Sequence, residues 1–223
     1  MSLTPVKAII LDVFDTVLLR RQLSFDNPYT QILSDLNVSH PKTVAAQDYN
    51  LLLTQNISFA DFIDRHADTT ISVEQRAAFL HNAQQIFAQE KSAYTPRPEW
   101  KKFLDEAYSR DFKICLGSNL SQPYTEIVEE KLGDIPHKIY SCDIGIRKPN
   151  AAFFHACCDI MNVEPHETIM IGNSFPSDVK GAQNAKLAHG YWIPLKKDAK
   201  ANTETNAVQL TSLMDVFAYL PRL

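Results

Sequence analysis

Apolar runs of strand length, alternating with stretches of helical spacing, constrain the fold of this chain most strongly. A weak run covers 207–210, and the clear ones cover residues 6–11, 112–117, 138–142, 168–172 and 189–193. Their hydrophobicity is nearly continuous, which is typical of strands buried on both faces of a parallel sheet. Helical spacing occurs at about 97–110, 122–132, 150–162, 177–186 and 211–220. The pattern predicts an α/β fold built on a Rossmann-like, doubly wound parallel sheet.

A long helical segment interrupts the alternation after the first strand. Residues 22–93 lack a strand pattern, and helical spacing recurs near 28–37, 41–54, 59–67 and 73–91. An insert at the carboxyl end of the first strand would lie over the crevice where such sheets bind ligands. We therefore predict an α/β core of residues 1–16 and 94–223 and a helical cap of residues 17–93. A purely structural helical subdomain would give the same pattern.

Composition narrows the classes of partner and the cellular compartment. The 223 residues are 45% hydrophobic, enough for a substantial core, and the net charge of −4 comes without a basic run. We therefore expect a small-molecule substrate, with neither nucleic acid nor membrane as partner, in a monomer or homodimer. The four cysteines form no CxxC pair, and no signal peptide is evident at the N-terminus. These features predict a cytoplasmic protein without disulfides.

Polar side chains follow four of the predicted strands. Asp12, Asp15 and Thr16 follow the first strand, and Ser118 and Asn119 follow the second; Lys148 comes after the third, and Asn173 and Asp178 come after the fourth. Because ligands of an open parallel sheet bind outside the carboxyl ends of its strands, we expect these residues to meet at one edge. Each taken alone is typical of a turn, a helix cap or a solvated surface, so the prediction depends on their joint order.

The predicted set suits a reaction through a covalent intermediate. A carboxylate can attack phosphorus or carbon, provided that the negative charge of the electrophile is neutralised. Lys148 and a magnesium ion would supply that charge, and Asp12 and Asp178 offer the oxygen ligands that Mg²⁺ prefers. The Ser118 hydroxyl suits a hydrogen bond to a phosphoryl oxygen.

Four motifs in this order resemble those of the haloacid dehalogenase-like superfamily, in its subgroup with a helical cap between the first and second motifs. They are "ILDVFDTVL", "ICLGSNLS", "GIRKPNAAFFHACC" and "IMIGNSFPSDVKGAQNA". The likeness covers essentially the whole chain. It implies a hydrolase, and in first place a Mg²⁺-dependent phosphatase that acts on a small phosphorylated metabolite through an aspartyl-phosphate intermediate.

The resemblance also implies roles for individual residues. Asp12 would be the nucleophile, and Lys148 would steady the negative charges. Thr16 and Ser118 would bind the transferring group, with the backbone near Asn119 completing the cradle. The metal would be held by Asp12, Asp178, the backbone carbonyl of Phe14 and, as a neutral oxygen, Asn173.

Two positions depart from the phosphatase pattern. Phe14 stands where family phosphatases carry the aspartate that protonates the leaving oxygen, a role worth about 10²–10⁴-fold in rate. Asp15, one residue further on, is a candidate substitute if the chain bends there. Asn173 replaces a second usual aspartate, which predicts a weaker metal site.

These departures leave two alternatives open. One is a 2-haloacid dehalogenase-type hydrolase, since that branch has an aromatic residue two positions after the nucleophile and halide leaves without a proton. Against it, Asp15 stands where that branch usually has glycine, and no cap residue clearly receives a halide. Arg20 and Arg21 fit better as solvated residues at the cap hinge. The other alternative is a binding protein of low or no activity on the same fold.

Overall fold

A parallel five-stranded sheet forms the centre of the computed structural model, which describes residues 5–25, 27–195 and 207–220. The sheet order is β5-β4-β1-β6-β7, and every neighbouring pair is parallel. The strands are β1 (Ala8–Leu11), β4 (Lys113–Ser118), β5 (His137–Tyr140), β6 (Thr168–Gly172) and β7 (His189–Trp192). The first strand in the chain is therefore the central strand of the sheet.

Helices cover the two faces of this sheet. They are α5 (Trp100–Ser109), α6 (Tyr124–Leu132), α7 (Ser141–Ile144), α8 (Ala151–Met161) and α9 (Lys180–Asn184). Alternate residues of β1 enter two separate apolar clusters: Ile9 and Leu11 pack on one face, and Ala8 and Ile10 pack on the other. All four residues of β1 are fully buried, which explains why the strand shows no polar alternation.

Four helices lie between the first strand and the rest of the sheet: α1 (Pro28–Asp35), α2 (Pro41–Thr54), α3 (Phe59–His66) and α4 (Val73–Ala93). Their starts follow local rules of helix initiation. Proline stands in the first turn of α1 and α2, where a missing N–H costs nothing. Ser58 and Ser72 form capping boxes that satisfy the first amides of α3 and α4.

A two-stranded antiparallel ribbon joins this helical unit to the sheet. It consists of β2 (Leu18–Arg20) and β3 (Tyr94–Pro96), with Leu18 opposite Pro96. The chain thus leaves the sheet and returns to it at one place. The sequence does not predict the ribbon, because strands of three residues are too short to show a period.

The predicted α/β class and its parallel sheet are confirmed, and the differences are local. Ser141 and Cys142 belong to α7 rather than to the strand predicted there. The predicted helix at 177–186 is a π-helical turn, Phe175–Val179, followed by α9. The weak run at 207–210 makes an isolated bridge between Gln209 and Trp192. The predicted helix at 211–220 is a 3₁₀ helix, Leu213–Ala218. A second 3₁₀ helix, Pro165–Glu167, precedes β6.

The four cysteines are buried as free thiols. In the part of the chain that the structure describes, no helix combines the length and apolar character that crossing a membrane requires. Residues 1–4, 196–206 and 221–223 of the predicted core, and residue 26 of the predicted cap, lie outside the described ranges.

A buried carboxylate ties the ribbon to the end of α4. Glu90 is 2% exposed and accepts hydrogen bonds from Arg20 Nε at 3.0 Å and Nη2 at 2.7 Å. The hydroxyls of Tyr94 and Tyr124 donate to the same carboxylate at 3.3 Å and 3.1 Å. Since a buried charge is tolerated only when it is paired, this cluster stabilises the junction as a unit.

Replacing Glu90 by alanine is expected to lower the free energy of unfolding by about 3 kcal/mol, because Arg20 and two tyrosine hydroxyls lose their acceptor. Urea unfolding followed by circular dichroism measures the loss. The matched control is Glu126→Ala, which removes an exposed partner of Lys91 and is expected to cost a small fraction of that amount. Equal losses in the two variants would contradict the assignment of Glu90 as a structural anchor.

Candidate active site

The candidate site lies where β1, β4 and β6 end. Asp12 directly follows β1, and its backbone N–H donates to the carbonyl of Ile171 at 2.9 Å, so the sheet ladder extends to the carboxylate. In the register, Leu11 lies opposite Leu116 and Ile171. The residues after these strands therefore leave the sheet at the same edge.

Three charged side chains from distant parts of the chain meet at this edge. The Lys148 ammonium lies 2.7 Å from Asp12 Oδ1 and 2.7 Å from Asp178 Oδ1. All three residues are buried, with Lys148 and Asp178 each 1% exposed. Taken alone, Lys148 is typical of a solvated surface residue, but in the structure its ammonium bridges two buried carboxylates.

The bridging position determines the charge of Lys148. Burial acts to lower the pKa of Lys148, but the charges of Asp12 and Asp178 outweigh burial and raise it above the ordinary lysine value. The ammonium is therefore positive at neutral pH. Burial raises the pKa of Asp178, and Asp12 adds to that rise while Lys148 opposes it.

Neighbouring groups hold the three charges in place. Thr16 donates its hydroxyl to Asp12 Oδ2 at 2.9 Å. Asn119 clamps the backbone of Lys148 with both ends of its amide: Nδ2 donates to the Lys148 carbonyl at 2.9 Å, and Oδ1 accepts from the Lys148 amide at 2.8 Å. Both ends of the Asn119 side chain are therefore used to position Lys148.

Gly172 is a site residue that the sequence reasoning missed. A Cβ atom at this position would lie 2.2 Å from Asp178 Oδ2, so only glycine leaves room for the carboxylate. The amide of Ser174 donates to the same oxygen at 2.9 Å. A glycine at a strand end is a signal of close approach, and it was available in the sequence.

Other predicted site residues lie at the same edge without joining the charge cluster. Ser118 ends β4 and is 1% exposed. Asn173 is held through its backbone carbonyl, which accepts from Trp192 Nε1 at 2.8 Å. The chain bends at Asp15, which has a left-handed φ of 63°. Burial, and next the nearby charge of Asp12, raise the pKa of Asp15.

Phe14 belongs to an aromatic cluster. Its ring packs edge-on against Tyr94 at 4.9 Å and Tyr124 at 5.3 Å between centroids.

The structure also corrects the interpretation of Arg20 as a solvated hinge residue, since Arg20 is paired with buried Glu90. Arg21 is exposed, as expected, and donates to Ser92 Oγ at 3.2 Å.

Comparison with known proteins agrees with this geometry. The model of the haloacid dehalogenase-like hydrolase family matches residues 6–186. The chain belongs to the haloacid dehalogenase-like hydrolases. A solved structure of a haloacid dehalogenase-family (HAD) phosphatase from Thermococcus onnurineus superposes with a TM-score of 0.65 at 17% identity, covering 97% of this chain and 99% of that one. At that identity the likeness supports the fold alone.

Curated relatives that match this haloacid dehalogenase-like chain are phosphatases, over part of their length. N-acylneuraminate-9-phosphatase of Rattus norvegicus is 37% identical over 46 residues, 21% of this chain and 18% of that protein. Phosphoserine phosphatase of Thermus thermophilus is 30% identical over 115 residues, 49% of this chain and 45% of that protein. The chain thus spans about a fifth of the first relative and under half of the second.

The oxygen atoms at this edge include donors for a divalent cation. Asp178 Oδ1 is buried and, although it forms an ion pair with Lys148, it makes no aligned hydrogen bond. With both carboxylates ionised, the cluster of Asp12, Asp178 and Lys148 carries one net negative charge. Among the residues that the structure describes, no group of three or more His, Cys, Asp or Glu side chains could hold a metal. A cation at this edge would therefore rely on two carboxylates, with backbone oxygens and water, a ligand set that suits Mg²⁺.

Proposed function

We propose that the protein is a phosphatase that transfers a phosphoryl group from a small substrate to Asp12 and then to water. The observation that carries the proposal is the Lys148 ammonium, 2.7 Å from both Asp12 and Asp178. It pairs with the buried Asp12 carboxylate and orients it, and it offers positive charge beside the place where a phosphoryl group would sit.

Each side chain has a distinct part in the proposed reaction. An Asp12 oxygen attacks phosphorus, the bond from phosphorus to the leaving oxygen breaks, and the electron pair departs with that oxygen. Thr16 fixes the orientation of the Asp12 carboxylate through its hydrogen bond at 2.9 Å. Ser118 at the end of β4 is assigned to a phosphoryl oxygen. Water then hydrolyses the aspartyl phosphate, which restores Asp12 and releases inorganic phosphate.

The proposal includes a magnesium ion bound by Asp12, Asp178, the carbonyl of Phe14 and Asn173. A phosphate monoester brings almost two further negative charges to an edge that already carries one. When bound, Mg²⁺ would neutralise that charge and polarise the phosphoryl oxygens. The buried oxygen Oδ1 of Asp178, which makes no aligned hydrogen bond, supports a cation at this place.

The helical unit of residues 17–93 is proposed to act as a cap. It is joined to the sheet through the ribbon of β2 and β3, and α2 packs against α7 beside the Lys148 loop. Arg147 Nε, next to Lys148, donates to Asn50 Oδ1 of α2 at 2.9 Å. These contacts support a cap that covers the ends of the strands and selects the substrate.

Carbon–halogen hydrolysis is the second candidate, favoured by the aromatic side chain of Phe14. Halide departs without a proton, so a site without a general acid suffices. The arginine at the hinge does not support this candidate, since Arg20 is paired with Glu90. Halide release from a short 2-haloacid in the presence of a chelator, with no phosphate release from any phosphate ester, would favour it over the phosphatase.

Asp12→Asn is expected to reduce phosphate release from p-nitrophenyl phosphate by at least about 10³-fold, because the amide is a poor nucleophile. Steady-state kinetics with Mg²⁺ measure the loss. The matched control is Asp143→Asn, an exposed aspartate near the Lys148 loop, for which wild-type rates are expected. A variant at Asp12 with wild-type turnover would contradict the covalent mechanism.

Phe14→Asp is expected to raise the rate for an alkyl phosphate such as benzyl phosphate by about 10²-fold, because it adds a group that can protonate the leaving oxygen. The control is Phe14→Asn, which has nearly the same shape as aspartate but transfers no proton. Equal rates in the two variants would show that proton transfer is not what the wild-type site lacks.

Asp15→Asn in the otherwise wild-type protein tests Asp15 as a substitute general acid in the same assay. Loss of the remaining turnover of benzyl phosphate would assign the general acid to Asp15.

Asn173→Asp is expected to tighten Mg²⁺ binding roughly tenfold, because a carboxylate replaces a neutral amide at the metal. Isothermal titration calorimetry of the protein with MgCl₂ measures the affinity without any turnover. The control is Asn162→Asp, at the end of α8 and away from the strand ends. Equal Mg²⁺ affinity in wild type and Asn173→Asp would remove Asn173 from the proposed ligands.

A further inference from the structure

An aromatic cavity lies between the helical unit and the ends of the sheet strands. Its volume is about 190 Å³. Five aromatic side chains line it, namely Phe14, Tyr29, Tyr94, Tyr124 and half-exposed Tyr49, and aliphatic side chains of α2 complete the wall. We refer to it as the ring cavity.

The ring cavity shares residues with the candidate active site. Phe14 follows Asp12 by two positions, and Asn119, which also lines the cavity, clamps the backbone of Lys148. The cavity therefore adjoins the candidate active site through Phe14 and Asn119.

Three of the tyrosine hydroxyl groups around the cavity already have acceptors within the protein. Tyr94 and Tyr124 donate to Glu90, and Tyr29 donates to Ser121 Oγ at 2.8 Å. What these tyrosines offer a ligand is thus ring carbon rather than a free donor.

The oxygen atoms of three polar side chains in the lining accept hydrogen bonds within the protein. Asn119 uses both ends of its amide on Lys148, and Ser121 accepts from Tyr29. Asn27 Oδ1 accepts from the amide of Tyr29 at the start of α1. The ring faces of the lining thus present mainly apolar surface, which suits an apolar ring better than a sugar or an amino acid.

We propose that the substrates of this site are phosphate monoesters of a single-ring phenol, whose ring enters the ring cavity while the phosphoryl group meets Asp12 and Lys148. The inference rests on the proposed phosphatase function and adds the substrate class. A cavity of about 150 Å³ with an apolar lining is enough to hold benzene. At about 190 Å³, the ring cavity accepts one ring with small substituents.

The chemistry of Phe14 agrees with this class of substrate. Asp12 attacks phosphorus, and the bond from phosphorus to the aryl oxygen breaks with its electron pair on the phenolate. A phenol has a pKa of about 10, so the phenolate departs without help from a general acid and takes its proton from water afterwards. Phe14 cannot act as a general acid, but its ring gives a phenolate leaving group, which needs no general acid, an aromatic side chain to pack against.

The test compares kcat/KM for phenyl phosphate, acetyl phosphate and benzyl phosphate on the full chain with Mg²⁺. Acetate is a better leaving group than phenolate, so leaving-group chemistry alone ranks acetyl phosphate first. Binding of the ring is expected to reverse that order and to make phenyl phosphate at least tenfold better. Benzyl phosphate carries the ring but needs a general acid, and we expect turnover at least 100-fold slower than that of phenyl phosphate.

A variant that fills the cavity separates ring binding from chemistry. Ala45 of α2 lines the cavity, and Ala45→Phe is expected to lower the ratio of kcat/KM for phenyl phosphate over acetyl phosphate at least tenfold. Ala46→Phe, at the neighbouring exposed position of the same helix, is the control and is expected to keep the wild-type ratio. As a readout that needs no variant, phenylphosphonate is expected to bind the wild-type protein at least tenfold more tightly than methylphosphonate in calorimetry.

The outcomes distinguish the two proposals. Hydrolysis of acetyl phosphate with no advantage for phenyl phosphate, or equal binding of the two phosphonates, would overturn the aryl substrate class and leave the phosphatase standing. If phosphate is released from none of the three substrates, the phosphatase proposal is overturned and, with it, the substrate class. Preference for the ring in both turnover and binding supports the inference.

Discussion

One buried ammonium, that of Lys148, is the interaction on which the candidate site depends. Removing two carboxylates from water costs several kcal/mol for each charge unless a partner of opposite sign is close. Lys148 supplies that partner to Asp12 and Asp178 at once. The surrounding structure serves this arrangement: Asn119 clamps the backbone of the lysine, Thr16 orients one carboxylate, and the missing side chain of Gly172 leaves room for the other.

Phe14 gives the site its individual character within a family of hydrolases. The side chain cannot move a proton, so the proposed chemistry is limited to leaving groups that are stable as anions. The same ring packs against Tyr94 and Tyr124, whose hydroxyls are bound to Glu90. Phe14 thereby connects the ends of the sheet strands to the aromatic side chains that line the ring cavity. Loss of proton transfer and gain of an apolar surface are two consequences of one residue.

Much of the fold could be read from the chain because its signals are local. Continuous apolar runs in the sequence predict the buried strands β1, β4 and β6. Serine residues that cap the first turn mark the starts of α3 and α4. The elements that the sequence did not predict have two physical causes. The ribbon of β2 and β3 is too short for a period, and the turn at Phe175–Val179 widens into a π-helix in a local geometry that brings Asp178 against Gly172.

By itself, the sequence determined the parallel sheet, the helical insert and the family to which the chain belongs, since these depend on periodicity and on the order of motifs. It also determined which residues follow the strands. Only the tertiary structure decided that Lys148 is a buried bridge and not a solvated side chain, and that Arg20 is committed to Glu90. It also decided that the rings around Phe14 enclose a cavity. The charge and the exposure of a side chain depend on neighbours that are distant in the chain, as far as 136 positions for Lys148 and Asp12, and only folding brings them into contact.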